Sequence, residues 1–243
     1  MRITRIYQNC TLSPGNPVVL NAESAHHLVH VLRTRTGDQI AVFNGEGGYY
    51  DAVVVETGKR RLVAEVREFH PDDCESTLDL TLAQGISRSQ HMDMALQKAV
   101  ELGVKTIVPV QCEYSPGRYS TSQQEKKSRH WQKILVAACE QCGRNRLPVL
   151  HKPVEFMEYV RASTGHLKII LNPHASAGMT DLVCDSNRVT LMTGPEGGFS
   201  QEEIRQSSQY GYHDVSLGPR ILRTETAAIA AITACQVIWG DLR

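Results

Sequence analysis

The chain has 243 residues, room for one large domain or a small one joined to a medium one, and its 41% hydrophobic content is enough for a sizeable core. Its 26 Lys and Arg balance 26 Asp and Glu, which excludes a bulk polycation that coats nucleic acid. It has no run of 18 apolar residues, opens on Met1-Arg2-Ile3-Thr4-Arg5 without an export signal, and holds seven cysteines, an odd number that reads as reduced thiols in the cytoplasm, away from any membrane.

Charge is segregated along the chain rather than mixed. Basic groups stand at Arg2 and Arg5, at Arg33 and Arg35, at Lys59-Arg60-Arg61, and at Lys126-Lys127 with Arg129. Acids gather at Asp72-Asp73 with Glu75 and at Glu202-Glu203. A neutral protein arranged in this way can still present a basic groove.

The first third reads as strands. From His26 to Leu32, the apolar Leu28, Val31 and Leu32 predict one face of a short helix. Short β-branched or aromatic runs follow at Gln39–Phe43, Tyr49–Val55 and Leu62–Val66, and Asn44-Gly45-Glu46-Gly47-Gly48 joins the first two as a hairpin connector. These runs predict a small, partly open β-barrel. The polar stretch from His70 to Ser76, with Pro71 in it, marks a domain boundary, so the expected domains are residues 1–72 and 73–243.

Strand and helix then alternate. Leu78–Ala83 is a strand, and Met92, Leu96, Ala99 and Val100 fall at helical spacing before Gly103 ends the helix. A second strand follows at Thr106–Val110, a helix closes over Ile134–Cys142 at Gly143, and Leu167–Leu171 is a third strand. Arg188–Met192 and His213–Leu217 supply two more. Between the last two, Ser200 can cap a helix with Glu203 completing a capping box and Phe199 stapling to Ile204. The final helix, Glu225–Trp239, has almost no polar face and should be buried nearly all round, partly by a second subunit. The alternation predicts an α/β domain with a mainly parallel sheet covered on both faces.

Two motifs carry weak metal or redox signals. Cys139-Glu140-Gln141-Cys142 closes a helix where a redox pair would open one, and no second pair stands at zinc spacing. His26, His27 and His30, with Glu23 nearby, read first as a polar helix face, then as a nucleic-acid contact, and last as metal ligands.

The strongest signals are two loops. Leu191-Met192-Thr193-Gly194-Pro195-Glu196-Gly197-Gly198-Phe199-Ser200 and Leu217-Gly218-Pro219-Arg220-Ile221-Leu222-Arg223-Thr224-Glu225-Thr226 each follow a strand, turn on Gly and Pro, and feed a helix. Loops of that kind at the carboxyl ends of strands hold small ligands in open α/β sheets. No Walker-type Lys-Ser/Thr follows the first loop, no G-x-G-x-x-G follows any strand, and Glu196 would repel a phosphate. A neutral or cationic ligand suits the loop better. Two arginines in the second loop can stabilise developing negative charge on a planar acceptor.

Together these segments resemble the RsmE family of SPOUT-class RNA methyltransferases, nearly end to end. The resemblance rests on Arg2-Ile3 with Arg5-Ile6-Tyr7, Val31-Leu32-Arg33, Gln97-Lys98 with Glu101-Leu102-Gly103-Val104, Trp131-Gln132-Lys133-Ile134, Ala138-Cys139-Glu140-Gln141-Cys142-Gly143-Arg144, and the two loops. The stretch from Val149 to Gly165 matches no motif of that family. The resemblance implies a trefoil-knotted α/β domain that holds S-adenosylmethionine, behind a PUA-like barrel that binds RNA. It also implies a homodimer without metal, acting on 16S rRNA in the small ribosomal subunit, with N3-methyluridine near the decoding site as product.

Residue by residue, the resemblance puts the cofactor against Leu171, Asn172, Gly194, Glu196, Gly197, Gly198, Leu217, Gly218, Ile221, Leu222, Arg223 and Thr224. It puts RNA against Arg2, Arg5, Arg33, Arg35, Arg88 and Arg144. Uracil N3 must lose a proton before it can attack a methyl group, and charge then spreads onto O2 and O4. Arg223, with Arg220 behind it, is the expected stabiliser of that charge. Either Glu225 or Glu196 orients the arginine or takes the proton.

Overall fold

The computed structural model describes residues 3–58, 61–163 and 167–242. The chain forms two compact units. One comprises the chain up to Glu75 together with Cys139–Leu147, and the other Ser76–Ala138 with everything from Pro148 onward. The division falls a few residues beyond the one expected after Asp72, and the first unit is discontinuous. A later segment returns to it, which no composition shift signals.

The first unit is built on a five-stranded sheet of order β1-β3-β4-β5-β2. Its elements are β1 (Thr4–Tyr7), β2 (Pro17–Val19), α1 (Ala22–His26), β3 (Gln39–Phe43), β4 (Tyr49–Thr57) and β5 (Leu62–His70). β1 runs parallel to β3 and the other pairs are antiparallel. Ile40, Val42, Ala52, Val54, Leu62, Ala64 and Val66 alternate inward into one core, joined by Leu28 from the helical segment. The helical segment differs from expectation. Asn21 caps α1 by accepting a hydrogen bond from the Ser24 amide at 2.9 Å, and the chain then widens into a π-turn over His27–Val31. That extra residue per turn rotates Val31 and Leu32 away from the core, so only Leu28 of the expected apolar face is buried.

The second unit is a seven-stranded sheet in which every pair is parallel, ordered β12-β10-β11-β6-β7-β8, with β9 also on β7. Its elements are β6 (Asp79–Gly85), α2 (Ser89–Glu101), β7 (Thr106–Gln111), α3 (Thr121–Cys142), β8 (Val149–Leu150), β9 (Val154–Glu155), α4 (Phe156–Ala162), β10 (Leu167–Leu171), β11 (Arg188–Thr193), α5 (Gln201–Gln209), β12 (Tyr212–Val215) and α6 (Thr224–Trp239). Strands of a parallel sheet are buried on both faces, hence their near-continuous apolar runs. Ala83, Val108, Ile170 and Met192 pack with Phe156 and Val160 of α4 and Ile204 of α5. Their sequence neighbours Leu82, Ile107, Ile169 and Leu191 are fully buried facing the other way.

The stretch from Val149 onward that matches no family motif contributes β8, β9 and α4 among its described residues. Within this single chain α6 is not buried all round. Ala228, Ala231, Ile232 and Cys235 are enclosed, whereas Val237 and Ile238 are exposed.

Candidate active site

β10, β11 and β12 are adjacent and parallel, so Leu171, Thr193 and Val215 end together at one edge of the second unit. The loops that follow them are therefore neighbours. Asn172 joins two of these ends: its amide donates to the Val215 carbonyl at 2.9 Å, and its Nδ2 donates to Asp214 Oδ2 at 3.1 Å.

The loop after β11 is packed on its own backbone. A Cβ on Gly194 would lie 2.9 Å from the carbonyl carbon of Gly198, and one on Gly197 would lie 2.7 Å from Cβ of Tyr114. A Cβ on Gly85, at the end of β6, would lie 2.5 Å from the Pro195 nitrogen. Gly198 closes the turn, its amide donating to the Pro195 carbonyl at 2.9 Å at φ +72°. A Cβ there would meet nothing within 4 Å. The loop then enters α5 through the expected capping box, with Ser200 Oγ accepting from the Glu203 amide and Glu203 Oε2 accepting from the Ser200 amide.

The loop after β12 is open. Gly218 has φ +81° and also meets nothing within 4 Å, while Ile221 is 83% exposed. Arg220 and Arg223 are exposed as well, and neither forms an ion pair among the described residues. Arg223 is the N-cap residue of α6 and its carbonyl accepts from the Ala227 amide at 2.8 Å.

A buried hydrogen-bond chain joins the two loops. Thr193 Oγ1 donates to Gln84 Oε1 at 2.6 Å, Gln84 Nε2 donates to Thr224 Oγ1 at 3.1 Å, and Thr224 Oγ1 donates to the Gly194 carbonyl at 2.6 Å. Sequence reading missed Gln84 and Thr193. The available signal was a polar side chain at the end of an otherwise apolar strand, because a buried amide must find partners.

The two candidate carboxylates differ. Glu196 is exposed, and its Oε1 accepts from the Arg88 amide at 2.8 Å. Its charge, after burial, holds the Tyr119 hydroxyl above the ordinary tyrosine range. Glu225 is buried, with Oε2 2.9 Å from His91 Nδ1 of α2 but not aligned to form a hydrogen bond with it, a neighbour the sequence gave no reason to expect.

The arginines expected at RNA also separate. Arg33, Arg35 and Arg88 are exposed, and Arg2 lies outside the described residues. Arg5 is half-buried in the first unit, bonded through its guanidinium to Asn145 Oδ1 and lying 4.8 Å from the centre of the Tyr49 ring. Arg144 differs from the others in its burial. It is 3% exposed, and two of its nitrogens donate to Glu75 at 2.8 and 2.6 Å. Burial disfavours its charge, and the Glu75 carboxylate outweighs that and holds the guanidinium above its ordinary range. A guanidinium so enclosed braces the first unit and is not available to a phosphate.

Among the described residues no three His, Cys, Asp or Glu side chains gather as a metal site requires. Burial pushes the Cys139 thiol of the C-x-x-C up to about 12, so it is protonated at neutral pH. No described helix is long and apolar enough to cross a membrane.

Two family models match the chain: an RNA methyltransferase domain over residues 74–236 and an RNA methyltransferase PUA domain over residues 20–67. A ribosomal RNA small subunit methyltransferase E of Buchnera aphidicola is 37% identical over 99% of this chain and 98% of its own length. The Bacillus subtilis protein of the same name is 27% identical over 91% of this chain and 92% of its own. Among solved structures, a Legionella pneumophila methyltransferase with bound cofactor SAM aligns with TM-score 0.97 at 40% identity, covering all of both chains. A Neisseria gonorrhoeae methyltransferase E bound to S-adenosylmethionine aligns with TM-score 0.92 at 37% identity, also over all of both chains. With one model covering more than half its length and a relative matched end to end, the chain belongs to the ribosomal RNA small subunit methyltransferase E family of RNA methyltransferases.

Proposed function

We propose that this protein transfers a methyl group from S-adenosylmethionine to N3 of a uridine in 16S rRNA, near the decoding site of the assembled small ribosomal subunit. The observation that carries the reading is the pair of open glycines, Gly198 and Gly218. Both sit at positive φ in the loops after β11 and β12, the two strands that flank β10, and a Cβ on either would point into empty space. A ligand can therefore approach the backbone there as closely as it could with no side chain present. The residues fit the cofactor in charge as well, since Glu196 suits a sulfonium. When bound, S-adenosylmethionine supplies an electrophilic methyl group.

The chain's own groups have three tasks. Gly194, Gly197, Gly198, Leu217, Gly218, Ile221 and Leu222, with Leu171 and Asn172 beside them, cradle the cofactor, and Thr224 fixes the cradle through Gly194. Arg223, exposed at the start of α6, meets the charge that spreads onto uracil O2 and O4 as N3 loses its proton, and Arg220 stands beside it. Exposure favours Glu196 over Glu225 as the proton acceptor. Glu225, in the first turn of α6 beside His91, orients the start of that helix, where Arg223 is the N-cap residue.

Two finer features belong to the same reading. The chain leaves β11 and reaches β12 on the far side of β10, a crossing that suits a trefoil knot. The exposed Val237 and Ile238 of α6 suit a homodimer, in which a second copy covers the apolar face left open here. Work on ribosomal subunits implies a cytoplasmic enzyme.

The test is methyl transfer to small subunits isolated from a strain lacking the gene, followed by nucleoside mass spectrometry. N3-methyluridine at one position is the expected product. A methyl on another nucleotide would redirect the reading to a different RNA target, and RNA binding without transfer would leave a non-catalytic binding protein.

A further inference from the structure

The segment from His26 to Arg35 in the first unit holds a non-glycine residue in the left-handed conformation. The π-turn ends with the Leu32 amide donating to the His27 carbonyl at 3.1 Å and the Thr34 amide donating to the Leu28 carbonyl at 2.9 Å. The second bond spans seven residues, one more than the six-to-one closure that ends an α-helix, and the residue inside it takes the left-handed conformation. Glycine ordinarily fills that position because it lacks a Cβ. Here the residue is Arg33, at φ +58°. The other described non-glycine residue with positive φ is Asn187, a type that tolerates it.

Around Arg33 the surface is unusual for a single unit. Val31 is 60% and Leu32 45% exposed, so two large apolar side chains face solvent side by side in sequence. The His26 and His30 rings lie 4.6 Å apart, tilted by 43°. Arg33 and Arg35 are both exposed. The nearest acid in sequence, Asp38, has its Oδ2 turned onto the Arg35 amide at 2.7 Å, and Glu23 lies back in the first turn of α1. Backbone strain of this kind marks functional segments, and the mixture of ring faces, aliphatic contacts and guanidinium is the chemistry that holds an unstacked base beside its phosphate.

We propose that residues 26–35 bind an unpaired nucleotide of the substrate RNA, its base against the His26–His30 pair and the Val31–Leu32 surface and its phosphate on Arg33, whose left-handed backbone serves this contact. The assignment rests on the rRNA reading above and goes further, since it makes this segment a reader of a splayed base in addition to a basic patch.

Fluorescence anisotropy of the labelled full-length protein titrated with isolated small ribosomal subunits tests it, with melting temperature measured on each variant. Arg33→Gly relieves the backbone, so it should raise the melting temperature by about 2–4 °C while weakening RNA binding at least tenfold. It should also flatten the slope of log affinity against log salt by about 0.7 for one lost single-strand phosphate contact. The double variant His26→Ala/His30→Ala should lose about 5- to 100-fold in affinity, the scale of one stacked base, with the salt slope unchanged. A histidine variant that flattens the slope as Arg33→Gly does, or keeps wild-type affinity, overturns the base contact. An Arg33→Gly protein that binds normally, or melts lower, overturns the role of the strained residue. Wild-type protein that fails to bind the subunits removes the rRNA reading and this assignment together, whereas wild-type binding that all the variants retain removes only this one.

Discussion

The two loops that frame the candidate active site solve opposite problems. The one after β11 is rigid because glycines let it fold onto itself, with Gly194 on Gly198, Pro195 on Gly85 and Gly197 under Tyr114. The one after β12 has a glycine too, yet a Cβ on Gly218 would meet nothing and Ile221, Arg220 and Arg223 stand in solvent. In the first loop Gly194 and Gly197 permit close packing, and in the second Gly218 permits a left-handed turn beside empty space, as Gly198 does where the first loop closes. A fixed wall and an open arm carrying the charged groups together allow a ligand to enter and then be gripped. Gln84 and Thr224 keep the two in register.

Breaking the open arm should show in rate alone. Arg223→Ala removes a side chain with no ion pair among the described residues. We expect single-turnover methyl transfer to fall by roughly 10²–10³, the loss typical of one charge-stabilising donor, with melting temperature and cofactor affinity unchanged. Raising the pH should partly restore the rate, as hydroxide helps remove the imide proton. A lower melting temperature with weaker cofactor binding would instead make Arg223 a brace, and Arg220 the next candidate.

The rigid wall should respond in the opposite manner. Gly85→Ala forces a methyl to within 2.5 Å of the Pro195 nitrogen. Backbone has to move, so urea titration should show a loss of about 1–3 kcal/mol, with cofactor affinity falling because the loop is displaced. The link between wall and arm is sharpened by Gln84→Leu, which leaves the buried Thr193 hydroxyl without its acceptor. About 1–2 kcal/mol of stability should go, and calorimetry should show weaker cofactor binding though Gln84 itself is buried behind the loops. The smallest effect belongs to Gly218→Ala. No clash awaits it, and its left-handed φ costs about 1 kcal/mol. Cofactor affinity should fall by more than that stability loss explains, because the methyl enters the open space. Equal affinity in wild type and variant would take Gly218 out of the cradle.

Local chemistry was the legible part of this chain. Ser200 and Glu203 announced the α5 cap, Gly103 and Gly143 the helix ends at positive φ, and Leu167–Leu171 the whole of β10. What escaped was decided by distant partners. Gln84 lay just past the expected strand Leu78–Ala83, and only its contacts with Thr193 and Thr224 make it the tie between two loops. Glu225 was one of two carboxylates expected beside Arg223, and the sequence did not show that its Oε2 lies 2.9 Å from His91 Nδ1, far earlier in the chain. Arg144 looked like one more surface cation, and Glu75 encloses it. A charged residue reads the same in sequence whether it meets solvent or a buried partner. At Val31 and Leu32 the periodicity was present, and one π-turn rotated it out of the core.

The discontinuous first unit sets a timetable for synthesis. Its sheet ends with β5 at His70, but Glu75 has to wait for Arg144, Asp73 for Arg146, and the Tyr7 amide for the Glu140 carboxylate. At about 5–20 residues per second the ribosome needs roughly 4–14 s to make the intervening chain. During that interval the nascent sheet carries Glu75 and Asp73 without their cations, and it stands without the last turn of α3 against it. Translation of α2, β7 and most of α3 therefore precedes closure of the unit that begins the protein. Translation arrested before Gly143 should leave that unit open to protease, while arrest beyond Leu147, once it clears the exit tunnel, should protect it.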